Sequence, residues 1–197
     1  MDFIDLKTQY SNLKEQIDQG IHDVLNHGQY IMGPEILILE EKLSKYVNTK
    51  HAITCSSGTD ALLMSLMALN VKAGDYVLTT PFTYISTAEV ISLLGAIPDF
   101  VDINPSTFNI DMNQVEQKIK KNPDKYKVVI PVDIFGLIAD YNKLNQLKNK
   151  YDFHVIEDAA QSFGASYNNN MSCSFGDISC TSFFPAKPLG CYGDGGA

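Results

Sequence analysis

Residues 127–157 read KVVIPVDIFGLIADYNKLNQLKNKYDFHVIE, and this stretch decides the fold class. Two short β-branched runs, 127–132 and 153–157, bracket a segment, 140–150, that fits a helix. The alternation continues in both directions. Upstream, strands are predicted at 76–80 (YVLTT) and 98–103 (PDFVDI), with helices at 86–94 and 111–121; downstream, a strand falls at 177–184 (DISCTSFF). Strands apolar on both faces and separated by helices imply a mostly parallel sheet covered on both sides, a three-layer α/β/α architecture. Ligands in such sheets bind outside the carboxyl ends of the strands. Further upstream, 52–55 (AITC) reads as a buried strand and 59–70 as a helix apolar nearly all round. Leu13, Ile17, Ile21, Val24 and Leu25 mark a helix over 11–27 that Gly28 stops, and Ile36, Leu39, Leu43, Tyr46 and Val47 mark another over 35–47.

The 197 residues, 45% hydrophobic and 19% charged, suffice for one sizeable core but not for two full domains. A net charge of −8 argues against nucleic acid or an anionic membrane as partner, because binding a phosphate backbone needs a basic footprint. The short cluster Lys118, Lys120 and Lys121 reads as a solvated helix face. No stretch approaches the roughly 18 apolar residues of a membrane span, and MDFIDLKTQY lacks the pattern of a signal peptide. Cys55, Cys173, Cys180 and Cys191 show no metal-binding spacing, which predicts reduced, buried thiols in a cytoplasmic protein.

Three clusters fall at the carboxyl edge of the predicted sheet. In the first, Cys55-Ser56-Ser57-Gly58-Thr59-Asp60, small residues open directly into a helix. Backbone N–H groups there, with hydroxyls beside them and Gly58 permitting close approach, suit a phosphate; a Ser or Thr N-cap without ligand fits equally. In the second, Val155-Ile156-Glu157-Asp158-Ala159-Ala160-Gln161, a strand ends in two carboxylates followed by alanines that would admit a flat ring. Helix capping by Asp158 and a metal site are the alternatives, the latter weakened because no further ligand stands at useful spacing. His154 reads as a core or strand-edge histidine. In the third, Ser182-Phe183-Phe184-Pro185-Ala186-Lys187-Pro188-Leu189-Gly190, a single lysine sits between prolines in a run without other charge. A partly desolvated ammonium has a lowered pKa and becomes a nucleophile for carbonyl groups; a surface-loop lysine is the plain alternative. A phosphate cradle, a carboxylate and a nucleophilic lysine form the set that pyridoxal 5′-phosphate (PLP) requires.

These residues resemble a known family. S-G-T-D-A-L (57–62), E-D-A-A-Q (157–161) and S-F-F-P-A-K-P-L-G-C-Y-G-D-G-G (182–196) are similar to the DegT/StrS nucleotide-sugar aminotransferases, whose fold is the large domain of fold-type I PLP-dependent transferases. The resemblance implies that Lys187 holds PLP covalently and moves the proton at the substrate carbon. It implies that Asp158 pairs with the pyridinium nitrogen, Tyr84 stacks on the ring, Gln161 lies near the ring, and Ser182 with Gly58 and Thr59 holds the phosphate. An amino group would pass from a donor, expected to be glutamate, to a nucleotide-linked keto-sugar. Dehydratases related to this family carry histidine in place of the lysine, so Lys187 favours transamination.

H-G-Q-Y-I-M-G-P (27–34), Pro188 and the stretch 157–167 are similar to the branch that aminates a UDP-3-keto-hexuronic acid for surface polysaccharide. A 4-keto-6-deoxy nucleotide sugar is the second expectation. Asp133 stands where many relatives carry His, Asn or Ser, a departure whose effect on the substrate pocket the resemblance leaves open. The resemblance covers 1–197 as a PLP-binding large domain with an N-terminal helical segment, and the family continues into a small C-terminal domain that this sequence lacks. That implies a homodimer when full length and, for the chain as given, the alternative of an inactive remnant. A nucleotide-binding oxidoreductase is disfavoured because no G-x-G-x-x-G follows a predicted strand.

Overall fold

The computed structural model describes residues 4–197, which divide into two compact units, one up to Ile53 and one from Thr54 to Ala197. The N-terminal unit holds helices α1 (Leu6–His27) and α2 (Pro34–Val47). Helix α1 begins earlier than the apolar spacing indicates because Asp5 caps it, accepting from the Thr8 amide at 2.9 Å. Gly28 ends it in the left-handed region, φ 67°, as its position after the last apolar residue predicts. Pro34 opens α2 at the first helical position, where a missing N–H costs nothing.

The second unit contains α3 (Gly58–Ala68), β1 (Tyr76–Thr79), α4 (Ser86–Leu93), β2 (Ile97–Phe100), α5 (Met112–Lys121), β3 (Tyr126–Val129), α6 (Tyr141–Lys148), β4 (His154–Asp158), the short strands β5 (Ser166–Tyr167) and β6 (Asn170–Met171), and β7 (Ile178–Cys180). The main sheet has the order β2-β1-β3-β4-β7, every pairing parallel. Successive side chains of a strand point to opposite faces, and the two cores separate along that parity. Val77, Val128, Ile130, Ile156 and Cys180 pack with Ala61, Leu62 and Leu66 of α3 and Val90 and Ile91 of α4. On the opposite face, Leu78, Val129 and Val155 pack with Val115 and Ile119 of α5 and Leu144 and Leu147 of α6. These are the three layers expected. The strand order reverses between β1 and β3, so the crevice of the fold opens beyond their carboxyl ends.

Several elements differ from the sequence reading. Residues 52–55 form no strand; Cys55 makes an isolated antiparallel bridge to Gly196, which also bridges Ser182. The segment 195–197 therefore lies between Cys55 and Thr181–Phe183, exchanging backbone hydrogen bonds of 2.7–3.2 Å with both. Strand β2 is not apolar on both faces: it is the sheet edge, with Ile97 and Phe100 exposed. Helix α3 leaves Met64 and Met67 exposed, so its apolar circumference is only half buried. The β5–β6 hairpin went unforeseen; Asn168 and Asn169 turn it with φ of 51° and 63°, the left-handed pair that such a two-residue loop requires. Of the four free cysteines only Cys180 is fully buried. His154 is half exposed at the start of β4, its Nδ1 3.7 Å from Asp177. Among the described residues, no helix is long and apolar enough to cross a membrane. Leu66 is completely buried between α3 and the sheet; Leu66→Ala is expected to lower unfolding free energy by ~2–5 kcal/mol in a denaturant titration.

Candidate active site

Strand β4 ends in Glu157 and Asp158, both buried, and the two-residue period turns them to opposite faces of the sheet. Asp158 faces the α3–α4 side. Its Oδ2 accepts from Thr87 Oγ1 at 2.7 Å, and its Oδ1 receives only a long bond from the Ala160 amide at 3.3 Å. No helix follows Asp158, so it braces a turn rather than capping a helix. Burial raises its pKa, and the neighbouring Glu157 charge adds to the rise; the Thr87 and Ala160 bonds and the Lys187 charge oppose it. Thr83 Oγ1 lies 2.8 Å from Thr87 Oγ1, whose one proton goes to Asp158, so Thr83 donates to Thr87. Neither threonine stood out in the sequence. The signal was present as hydroxyls at i and i+4 around the start of α4, one turn apart on one face.

The segment 195–197 holds two elements together. Through Cys55 it fixes the approach to α3, and through Thr181–Phe183 it fixes the lysine loop. Ser57 caps α3, accepting from the Asp60 amide at 3.1 Å, so the capping reading of this cluster holds for Ser57. The amides of Gly58 and Thr59, the first two of the helix, have no partner among the described residues. They are orphan donors at a positive helix end. A Cβ added to Gly58 would stand 2.7 Å from Ser182 Cβ and 3.3 Å from Ser182 Oγ, which places Ser182 directly against the helix start. Ser182 Oγ accepts from the Phe184 amide at 3.2 Å, and Thr59 Oγ1 is 2.6 Å from Ser86 Oγ.

The lysine loop is tightly closed. The Phe183 carbonyl accepts from the Cys191 amide and the Phe184 carbonyl from the Lys187 amide, both at 2.8 Å. Lys187 is half-buried, and its ammonium makes no ion pair or hydrogen bond among the described residues. Burial lowers its pKa, and the Asp158 carboxylate pulls against that shift, so the two groups act on each other electrostatically. Tyr84 is exposed, and its carbonyl accepts from the Thr87 amide at 3.3 Å, which ties it to the Asp158 network. Gln161 is exposed on the turn after β4, its carbonyl 3.6 Å from where a Cβ of Gly136 would stand. Phe82, Phe108 and Phe135, from the loops after β1, β2 and β3, form an exposed triad with ring centroids 5.7–6.2 Å apart. The sequence reading passed over them. Asp133 is completely buried on the α5–α6 side, where the Tyr141 hydroxyl and the Ala139 amide donate to it.

The arrangement brings Gly58, Thr59 and Ser182 to one helix end, and Asp158 into electrostatic contact with Lys187. A profile of the DegT/DnrJ/EryC1/StrS aminotransferase family matches residues 11–197. The chain belongs to this family. It is 52% identical over 197 residues to the UDP-2-acetamido-2-deoxy-3-oxo-D-glucuronate aminotransferase of Pseudomonas aeruginosa, covering all of this chain and 54% of that protein. A family aminotransferase from Brucella abortus superposes with a TM-score of 0.95 at 44% identity, covering 100% of this chain and 54% of that one. A Bacillus subtilis relative solved with the cofactor PMP bound superposes with a TM-score of 0.86 at 34% identity, covering 94% of this chain and 41% of that one. The chain spans about half the length of the curated relatives it matches. DegT-family aminotransferases depend on PLP, and the residues here fit that group. They offer a helix end with free amides where any Cβ at Gly58 would collide, a buried carboxylate with one oxygen weakly engaged, and a partly desolvated lysine. Thr87→Val leaves Asp158 Oδ2 and the Thr83 hydroxyl short of a partner and is expected to cost ~1–3 kcal/mol of stability, with Thr87→Ser restoring most of it in parallel denaturant titrations.

Proposed function

We propose that this chain binds PLP and, within its enzyme, transfers an amino group to the keto carbon of a nucleotide-linked sugar. The observation that carries this reading is the pairing of a half-buried, unpartnered Lys187 with a buried Asp158, beside the Gly58–Ser182 contact. PLP when bound supplies an aldehyde for amines and a ring that withdraws electrons from the substrate carbon. The work of this chain's own residues follows from their environments.

Lys187 Nζ, its protonated form disfavoured by burial, would hold the cofactor through its aldehyde and would move the proton at the substrate carbon. Asp158 sets a negative charge where a protonated ring nitrogen can pair with it, in a site closed to water on the α3–α4 side. Thr83 and Thr87 hold that carboxylate in one orientation. The amides of Gly58 and Thr59 and the Ser182 hydroxyl are the donors for the phosphate. Tyr84 supplies a ring for stacking and Gln161 a carboxamide beside it, both on the exposed rim. The 52% identity to the Pseudomonas aeruginosa enzyme supports a UDP-linked 3-keto-hexuronic acid as acceptor, and so a role in surface polysaccharide. Glutamate as donor and a homodimeric assembly belong to the same reading.

Incubation with PLP is expected to produce a visible absorbance band that borohydride fixes to the peptide carrying Lys187. Lys187→Ala should abolish the covalent adduct, and an undiminished adduct in that variant overturns the assignment. With glutamate and the 3-keto UDP-hexuronic acid, the enzyme containing this chain should release 2-oxoglutarate and an amino sugar. Asp158→Ala should lower that rate at least ~100-fold, equivalent to ~2.7 kcal/mol of transition-state stabilisation. Turnover of a 4-keto-6-deoxy nucleotide sugar alone would reassign the acceptor.

A further inference from the structure

Behind Asp158, on the other face of β4, lies a second carboxyl pair that the proposed chemistry does not use. Glu157 is fully buried and has four donors around it, the Ser172 hydroxyl only at long range. Its Oε1 accepts from the Cys173 amide at 2.7 Å and Ser172 Oγ at 3.3 Å, its Oε2 from the Phe175 amide at 2.8 Å and Ser179 Oγ at 2.7 Å. Asp133 is also fully buried. Its Oδ1 accepts from the Ala139 amide at 2.9 Å and the Tyr141 hydroxyl at 3.1 Å, while its Oδ2 has no donor at all. The side chains of Asp133 and Glu157 are within hydrogen-bonding reach of each other. No Lys, Arg or His among the described residues forms an ion pair with either. Two acceptor-only carboxylates cannot hydrogen-bond, and an unpaired charge at this depth is very costly. One proton placed on Asp133 Oδ2 resolves both difficulties.

We propose that Asp133 is a positioning residue that holds a proton on Oδ2 and shares it with Glu157, so that Glu157 keeps the negative charge to which residues 172–179 are tied. The backbone pairs the two segments: the Asp133 amide donates to the Asp158 carbonyl at 3.0 Å, and the Asp158 amide to the Pro131 carbonyl at 3.1 Å. Asp133 and Glu157 thus share one face of the sheet, whereas Asp158 lies on the other, where the charge of Lys187 acts on it. Neutralising Asp133 leaves Glu157 as the acceptor that anchors residues 172–179, the run leading into β7 and the lysine loop. Burial, and after it the Glu157 charge, push the Asp133 carboxyl up to about 8. The other groups facing it stay neutral through that range. Tyr141 from α6 is raised well above its usual value by burial and then by the Asp133 and Glu157 charges, and burial pushes Cys173, on the segment after β6, up to about 12.

Asp133 binds its proton more tightly folded than unfolded, so the stability it contributes is complete below about pH 4 and is lost as pH rises through about 8. Asp133→Asn tests this, because its amide donates where the acid proton sits and its carbonyl still accepts from Ala139 and Tyr141. The wild-type Tm minus that of Asp133→Asn is expected to fall as pH rises from about 4 to about 8, then level. Asp133→Ala, which cannot donate, should melt well below Asp133→Asn at pH 7. A pH-independent difference between wild type and Asp133→Asn overturns the proposal. Should Asp133→Asn not fold, NMR of isotope-labelled aspartate carboxyls in the wild-type protein decides: one titrating near pH 8 supports the shared proton, and all titrating in the usual range refutes it.

Discussion

The antiparallel contact of residues 195–197 with Cys55 on one side and Thr181–Phe183 on the other is the constraint on which the site depends. It brings the start of α3 against the strand that leads to Lys187, closely enough that Gly58 and Gly196 have no room for a side chain. Gly196 packs on the Ser57–Gly58 peptide, and Gly58 packs on Ser182. A phosphate-sized anion needs several donors converging on one point, and here a helix end and a loop hydroxyl converge because two backbones touch.

Strand parity divides the remaining labour. Adjacent residues of β4 serve opposite faces: Asp158 meets hydroxyls from α4 and the field of Lys187, whereas Glu157 meets amides and hydroxyls of the 172–179 run. The same strand therefore carries one carboxylate in the field of Lys187 and another that anchors the run leading to the lysine loop. The topological reversal between β1 and β3 opens the crevice beside them, and the loops that follow these strands present Tyr84 and Phe135 at its rim. Phe108 and Phe135 both adopt left-handed backbone conformations, φ of 61° and 56°, which for bulky residues the surrounding structure must enforce.

Much of this was legible before any coordinates. The β-branched runs at 127–132 and 153–157 located β3 and β4, because strands buried on both faces leave a continuous apolar signature. Lys187 and Asp158 stood out as candidates because charge is conspicuous in apolar surroundings. What escaped notice was local or long-range in character. Residues 52–55 look like a strand, yet their neighbour in space is Gly196, and no periodicity within four residues reports a single distant bridge. Thr83 and Thr87 carry no charge, and their importance lies in which oxygen they face. Asp133 stood out only as a departure from the family's motif, and its direction, inward toward Tyr141, is set by the backbone.

The bridge from Cys55 to Gly196 also bears on how the molecule comes to be assembled. It closes a loop spanning nearly the whole α/β unit, whereas each strand–helix–strand step closes only a few dozen residues. Loop-closure entropy rises slowly with length, but contacts remote in sequence delay folding because they form after the local ones that reward them sooner. The parallel sheet and its two apolar cores can therefore consolidate before the helix end and the lysine loop meet, and the proposed anion site is among the last features the folding chain completes.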